Sequence, residues 1–104
     1  MVARGEVWWF EPPDAKRRPY LVLTRNEAIG VLREVIAVPA TTVVRDIPTE
    51  VALGPSEAMP TDCVLTLDNV RSVPKALLVE HITTLDEATM SRVCAALAFA
   101  TACD

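Results

Sequence analysis

Residues 16–24 set a sharp boundary near the start of this chain, because three cations run directly into a proline and then into an apolar segment. Pro19 fixes its own φ angle and pushes Arg18 toward an extended conformation. The residues from Tyr20 to Thr24 are β-branched, aromatic or leucine, a composition that favours a buried strand. The pattern predicts a cationic loop that leads directly into the first residues of a rigid strand. A run of charge alone, however, is usually a solvated loop.

Short strand-forming segments, separated by polar or proline-containing turns, recur along the rest of the chain. They cover residues 6–10, 19–24, 33–40, 49–53, 63–68, 70–73 and 76–83. The segment from 33 to 40 is expected to stop near Pro39, since proline has no backbone N–H to donate to a sheet. In a chain of 104 residues, this pattern predicts one domain built on a small, strongly bent antiparallel sheet or barrel.

The end of the chain changes from strand to helical spacing. Thr84 and Glu87 match a capping box, with Thr84 as the N-cap. Apolar residues then recur at the spacing of one helix face, at Met90, Val93, Cys94, Leu97 and Ala98. The sequence therefore predicts a mainly β fold with one C-terminal helix that runs to about Ala102 and lays an apolar stripe on the sheet.

The hydrophobic content of 51% is high for a small soluble domain. A small protein of this composition often buries part of its surface in a dimer, so we expect a homodimer. No apolar run approaches the roughly 18–20 residues that cross a bilayer, and the first residues lack the apolar core of a signal peptide. We therefore expect a cytoplasmic protein that has no membrane partner.

The cysteines and the single histidine give no sign of a metal site. Cys63, Cys94 and Cys103 fit no metal-binding spacing, and an odd number argues against a disulfide framework. His81 lies in the middle of a predicted strand, where a structural role is expected. We predict no metal and no cofactor, and we expect the three thiols to be free and at least half-buried.

The charge is unevenly distributed between the two halves of the chain. Residues 1–45 carry a balance of +2 and residues 46–104 a balance of −6, which together give the net charge of −4. An acidic protein can still bind nucleic acid through a basic groove, because the local patch governs counterion release. The acidic half is expected to weaken non-specific binding and so to favour a selective site.

Four segments, taken in order, resemble the MazF/PemK family of toxin endoribonucleases. They are Arg4 to Trp8, Arg18 to Leu23, Val38 to Thr42 and Val64 to Ser72. The resemblance covers nearly the whole chain, from Arg4 to the last helix. It implies an SH3-like barrel with an appended C-terminal helix, assembled as a homodimer. It also implies metal-independent cleavage of single-stranded RNA at specific sequences, leaving 2′,3′-cyclic phosphate and 5′-hydroxyl ends, and neutralisation by a cognate MazE-like antitoxin.

The resemblance assigns catalytic roles to Arg18 and to a threonine near Pro39. Arg18-Pro19 matches the family's Arg-Pro pair, and a guanidinium can bond two phosphoryl oxygens as charge builds on them. The family also places a catalytic threonine or serine in the segment from Val38 to Thr42. Thr41 is the first choice and Thr42 the second, because two adjacent threonines leave the register open.

The loop before Arg18 departs from the family pattern. Many members carry a longer segment there with a glutamate that assists catalysis, and no glutamate of this chain matches it. Asp14 is an alternative proton acceptor, although aspartate at this position also fits a simple turn former. The identity of the general base therefore stays open.

The other predicted RNA contacts are four cations and one tryptophan, namely Lys16, Arg17, Arg25, Arg45 and Trp9. Trp8 and Trp9 are neighbours on a predicted strand, so their side chains point to opposite faces. One of them is expected in the core, and the other can stack on a base or pack at the dimer interface. Trp9 is the predicted RNA contact.

A second hypothesis is a CcdB-like toxin, which shares this fold but poisons DNA gyrase by binding and cuts nothing. A third is an SH3-like interaction module. Neither requires Arg18 and Thr41 to face one groove, which separates both hypotheses from the nuclease.

Overall fold

The computed structural model describes residues 1–103. Within that range the chain forms seven β-strands and two α-helices. They are β1 (Glu6–Phe10), β2 (Arg18–Val22), α1 (Asn26–Ile29), β3 (Glu34–Thr41), β4 (Glu50–Leu53), β5 (Cys63–Thr66), β6 (Arg71–Pro74), β7 (Leu78–Thr84) and α2 (Glu87–Thr101). The ends of every predicted strand agree with these bounds to within two residues.

All strand pairs are antiparallel, and the main path through the sheet is β4-β5-β3-β2-β1-β7. Strand β3 lies at its centre, since it pairs with β2, β5 and β6. One eight-residue strand with three partners must bend, and the sheet curls with it. The predicted fold class is confirmed: a mainly β, strongly bent antiparallel sheet is followed by one long C-terminal helix.

Strand β3 passes through Pro39 and ends at Thr41, two residues beyond the proline near which it was predicted to stop. Pro39 is the last residue of β3 that pairs with β2, where it lies opposite Tyr20. Ala40 and Thr41 continue the strand and pair with β5. A residue without a backbone N–H is tolerated where a strand changes partners, because few ladder hydrogen bonds are lost there. Strand β3 therefore carries Thr41 rather than leaving it in a loop.

Apolar side chains cover both faces of the sheet. Val7, Leu21, Val38 and Leu65 form one core with Val93 of helix α2. The opposite face holds a second core, which contains Phe10, Tyr20, Val22, Val35, Val73 and Leu78. Because successive side chains of a strand alternate between faces, β2 is buried on both sides and reads as a continuous apolar run.

The prediction that Thr84 caps the last helix is wrong. The N-cap is Asp86, whose carboxylate accepts a hydrogen bond from the Thr89 backbone N–H at 2.8 Å. Thr84 stays in β7 opposite Glu6. Pairing with β1 therefore keeps Thr84 in an extended conformation. The helix begins at Glu87, three residues after Thr84.

The three thiols are free, but only Cys63 is buried. Cys94 and Cys103 are exposed, which contradicts the expectation that all three are at least half-buried. Cys94 lies on α2 outside the buried stripe of Thr89, Val93 and Ala96. Between residues 1 and 103, no helix is long and apolar enough to cross a membrane.

Candidate active site

Arg18 and Thr41 lie at the same edge of the sheet. The β2–β3 ladder ends with Tyr20 opposite Pro39. Arg18 precedes Tyr20 by two residues, and Thr41 follows Pro39 by two residues, so both extend beyond the ladder in the same direction. Arg18 is also fixed from its other side, because it lies opposite Phe10 in the β1–β2 hairpin.

A cationic depression of about 210 Å³ opens at this edge. It is lined by Phe10, Pro12, Ala15, Lys16, Arg18, Tyr20 and Arg71. Three of these seven residues are cations, and none of the lining residues in the described part of the chain is acidic. Positive charges gathered without a counter-ion repel each other, so a bound anion relieves that repulsion.

The guanidinium of Arg18 is exposed and makes no salt bridge within residues 1–103. Its backbone, by contrast, is held in the β1–β2 hairpin. A cation with a fixed backbone and an uncommitted side chain is suited to bind an anionic ligand.

Arg71 is a member of the cationic depression that the sequence analysis did not select. Strand β6 pairs with β3, and this pairing sets Arg71 opposite Ala37. Strand β3 pairs with β2 as well, so Arg71 and Arg18 lie on strands that share β3 as a neighbour. Its Nη1 lies 3.4 Å from the Tyr20 hydroxyl, and its Cζ lies 5.9 Å from the Phe10 ring centroid. The signal in the sequence was its place in the segment from Val64 to Ser72, which contributes to the family resemblance.

The aromatic floor of the cationic depression is rigid. Phe10 and Tyr20 are both buried, and their rings meet edge to face with centroids 4.8 Å apart. Aromatic pairs in this geometry are favoured beyond the area that they bury. Arg71 rests against this pair, so two buried side chains limit where its guanidinium can lie.

A second, apolar depression of about 170 Å³ lies where β2 begins and β3 ends. It is lined by Trp9, Pro19, Ala40, Thr41, Thr42, Met59, Pro60, Thr61 and Cys63. Arg18 lines the first depression and Pro19 lines the second, and side chains of consecutive strand residues point to opposite faces. We expected Arg18 and the threonines to face one groove, whereas the structure places them in two different depressions at the same edge of the sheet.

Thr41 and Thr42 differ in how firmly they are held. Thr41 is half-buried at the end of β3, and its Oγ1 accepts a hydrogen bond from the Val43 N–H at 3.1 Å. That contact fixes the oxygen and leaves the hydroxyl proton free to be donated. Thr42 lies outside the strand and is exposed. The geometry favours Thr41 as the positioned hydroxyl.

The two tryptophans do point to opposite faces, but neither is fully buried. Trp8 lies beside His81, and its Nε1 donates to Glu6 Oε1 at 2.9 Å. Trp9 lines the apolar depression.

Arg17 covers part of the Trp9 ring, with its Cζ 4.4 Å from the ring centroid. Glu11 and Glu80 hold this guanidinium at N–O distances of 3.7 and 3.6 Å. Arg17 is thus an ordered cation at the side of the apolar depression.

Other predicted contacts lie apart from this edge or are already engaged. Arg25 precedes α1 at the opposite end of β2 from Arg18. Arg45 lies in the loop after β3, where its Nε is 3.8 Å from Glu50. Asp14 is exposed and lines neither depression.

His81 is exposed, not buried, and its Nε2 lies 3.1 Å from Thr84 Oγ1. No cluster of three or more His, Cys, Asp or Glu side chains within residues 1–103 is arranged to hold a metal ion.

Comparison with known proteins places this chain in a family. Residues 3–100 match the model of the PemK-like, MazF-like toxins of type II toxin–antitoxin systems. The probable endoribonuclease MazF5 of Mycobacterium tuberculosis is 42% identical over 102 residues, which cover 97% of this chain and 94% of that protein. Endoribonuclease MazF1 of Mycobacterium bovis is 35% identical over 83 residues, covering 80% of this chain and 77% of that protein.

Solved structures agree with the sequence comparison. An endoribonuclease from a mycobacterial species, solved in complex with its cognate antitoxin, superposes with a TM-score of 0.90 at 30% identity and covers 100% of this chain and 98% of its own. The Mycobacterium tuberculosis toxin MazF-mt6 superposes with a TM-score of 0.87 at 27% identity, covering 95% and 98% of the two chains. This chain belongs to the PemK-like, MazF-like toxin family of type II toxin–antitoxin systems.

Proposed function

We propose that this chain is a toxin endoribonuclease that cuts single-stranded RNA at specific sequences without a metal ion. The observation that carries the proposal is the cationic depression, where Arg18, Lys16 and Arg71 meet without an acidic neighbour, at the edge that also holds Thr41. Relatives that match most of the chain are named endoribonucleases. An RNA phosphodiester is the anion that fits both facts.

The reaction proposed is attack by the ribose 2′-hydroxyl on the adjacent phosphorus. The 2′-oxygen forms a bond to phosphorus, and the bond to the 5′-oxygen breaks with its electron pair staying on that oxygen. A proton leaves the 2′-hydroxyl and a proton reaches the 5′-oxygen. The products are a 2′,3′-cyclic phosphate and a 5′-hydroxyl.

Arg18 stabilises the charge that builds on the phosphoryl oxygens, because its planar fork can donate to two of them at once. A guanidinium has five N–H donors and no acceptor, so we assign Arg18 to charge stabilisation and not to proton removal. Arg71 and Lys16 add positive charge from β6 and from the loop before β2. Thr41 donates its free hydroxyl proton to a phosphoryl oxygen or orients the attacking 2′-hydroxyl, with Thr42 as the second choice.

Single-stranded RNA is the expected substrate, since in-line 2′ attack needs a locally splayed backbone with unstacked bases. We expect cleavage to halt translation in the cytoplasm and so to arrest growth. Arg17, Arg25 and Arg45 are proposed as backbone contacts of lesser weight, because two of them already contact glutamates and Arg25 lies at the opposite end of β2.

We also propose that a cognate MazE-like antitoxin neutralises the toxin, as the complex of the mycobacterial relative suggests. A disordered acidic segment complements the cationic depression and would exclude RNA by occupying it.

A homodimer is proposed because apolar residues on α2 and on the neighbouring strand β3 are exposed in the single chain. Ile36 is 49% exposed beside Leu97 and Ala98, and Phe99 is 64% exposed. Light scattering of the purified chain measures this directly, and a monomer at working concentration would contradict it.

The alternative of a CcdB-like gyrase poison has no support in these comparisons, whose named relatives are endoribonucleases. The deciding experiment incubates the purified chain with a mixed RNA pool in EDTA and maps the ends. We expect cuts with 5′-hydroxyl ends that disappear in Arg18→Ala. Arg33→Ala is the matched control, because it removes the same charge from an exposed arginine that lines neither depression, and it should keep the cuts. Intact RNA, or equal cutting by Arg18→Ala, would overturn the proposal.

A further inference from the structure

The proposed reaction delivers a proton to the 5′-oxygen, and two side chains among the described lining residues of the cationic depression can supply one. Arg18 and Arg71 keep their protons, because a guanidinium is not deprotonated in proteins. The apolar lining residues have none to give, and Thr41 lines the other depression. The remaining candidates are the ammonium of Lys16 and the phenol of Tyr20.

Tyr20 is the more firmly held of these two residues. Its side chain is buried, and its ring meets the Phe10 ring edge to face. Its backbone pairs on both sides, with Trp8 of β1 and with Pro39 of β3. Lys16, by contrast, is exposed in the loop before β2. A general acid has to be fixed within hydrogen-bond reach of the oxygen that it protonates, which favours the phenol.

The hydroxyl of Tyr20 is engaged as an acceptor and keeps its own proton free. Arg71 Nη1 donates to it across 3.4 Å, and Arg71 lines the same depression. Among the hydrogen bonds of residues 1–103, none takes the Tyr20 O–H as its donor. Arg18 and Tyr20 are two residues apart on β2, so their side chains lie on the same face of the sheet. A nearly buried phenol with an uncommitted proton is therefore placed beside the cations that would bind a phosphate.

We propose that Tyr20 is the general acid of the cleavage reaction, whose hydroxyl gives its proton to the departing 5′-oxygen. The bond between phosphorus and the 5′-oxygen breaks with its electron pair on oxygen, and that oxygen takes the proton of Tyr20. Arg71 then donates to the phenolate that remains. The 2′-hydroxyl releases its proton to solvent and solvent returns one proton to Tyr20, so the cycle is balanced. This inference rests on the proposed nuclease function and deepens it by naming the proton donor.

An RNA in which sulfur replaces the 5′-oxygen at the mapped cleavage position tests this assignment directly. A thiolate is a much weaker base than an alkoxide, so it leaves without being protonated. Tyr20→Phe removes only the hydroxyl and keeps a ring against Phe10. We expect this variant to lose about 10²- to 10⁴-fold in single-turnover rate on the ordinary RNA. It should cut the sulfur-containing RNA at nearly the wild-type rate, which also shows that the variant is folded.

Lys16→Gln and Arg18→Lys are the matched comparisons. Both change a cation of the depression, and negative charge builds on the phosphoryl oxygens of either RNA, so each variant should slow both substrates by similar factors. A loss confined to the ordinary RNA in Lys16→Gln would make Lys16 the proton donor and overturn the proposal. Equal losses of Tyr20→Phe on both RNAs, or no loss on the ordinary RNA, would overturn it as well and leave the nuclease function standing.

Binding separates a proton donor from a phosphate contact. An oligonucleotide with a 2′-deoxy residue at the cleavage position is not cut, so the anisotropy of a labelled copy measures its affinity. Tyr20→Phe should bind it as tightly as the wild-type chain, because the proton is needed only as the 5′-oxygen departs. A loss of affinity as large as the loss of rate would assign the hydroxyl to phosphate binding and contradict the proposal. Failure of the nuclease function looks different, because the wild-type chain would then leave the ordinary RNA intact.

Discussion

The cationic depression and the apolar depression take consecutive residues of β2, Arg18 and Pro19, yet they differ in charge. Arg18, Lys16 and Arg71 give the first a concentrated positive charge, whereas the second has an aromatic wall and no charged lining residue in the part of the chain described. The strand geometry accounts for the contrast, since adjacent residues of β2 face opposite sides of the sheet. Charge binds phosphate regardless of sequence, so the cationic depression by itself does not select an RNA sequence.

This division makes different variants fail in different ways. Changes in the cationic depression should lower the rate and the salt dependence for every RNA. Changes in the apolar depression should leave the salt dependence unchanged, because none of its lining residues in the described part of the chain is charged. The following predictions test that separation, beginning with the variant expected to cause the largest loss.

Arg18→Lys should lower kcat/KM on a fluorogenic RNA by about 10²- to 10³-fold, the loss that follows removal of one preorganised donor to a developing oxyanion. Lysine keeps the charge but loses the planar fork that can donate to two phosphoryl oxygens. Equal losses on RNAs of different sequence are expected, and near-normal activity would show that charge alone is needed.

Arg71→Ala should weaken binding of an uncleavable oligonucleotide by roughly 10- to 100-fold, because one charge-assisted contact to phosphate is lost. The slope of log Kd against log salt concentration should fall by about 0.7. Arg33→Ala is the matched control, since Arg33 is an exposed arginine that lines neither depression. If the slope became smaller in Arg33→Ala but not in Arg71→Ala, the bound phosphate would not contact Arg71.

The strand boundaries could be predicted from the sequence because each short apolar segment is bounded by proline, glycine or polar turns. Arg18 was selected because Arg18-Pro19 matches the Arg-Pro pair of the family that the sequence resembles, since a run of charge alone usually marks a solvated loop. The sheet overrides a local rule at two positions: Thr84 does not cap the helix, and β3 continues two residues beyond Pro39. At Pro39 the strand changes partners, and at Thr84 the pairing of β7 with β1 keeps the residue extended.

Arg71 and the apolar depression could not be predicted in this way because both depend on contacts between distant parts of the chain. Arg71 reaches the site only through the pairing of β6 with β3. The apolar depression forms where Met59 and Cys63 meet Trp9 and Thr41. No local sequence pattern predicts contacts between such distant segments. Arg71 lies in one of the segments that resemble the family, but the resemblance gave it no role.

Thr41→Val and Thr42→Val form a matched pair that tests which hydroxyl is positioned. Thr41→Val should lower kcat by roughly 2- to 10-fold, the effect of losing one ordinary hydrogen bond. Thr42→Val should have the smaller effect, because Thr42 is exposed and outside β3. Single-turnover cleavage with saturating RNA measures the step directly. The reverse order would move the catalytic role to Thr42.

The mildest test follows the reactivity of Cys63 without changing either depression. A double variant, Cys94→Ser with Cys103→Ser, leaves Cys63 as the single thiol. The thiolate is the species that reacts with iodoacetamide. Because burial raises the pKa of Cys63 above the ordinary 9.0, its labelling should be slow at neutral pH and should rise only at alkaline pH, above the range of an exposed cysteine.

Unfolding provides the control for this measurement. In denaturant the burial of Cys63 is lost, so the same double variant should label at the rate of an exposed cysteine. Rapid labelling of the folded protein at neutral pH would contradict the burial of Cys63 in the wall of the apolar depression.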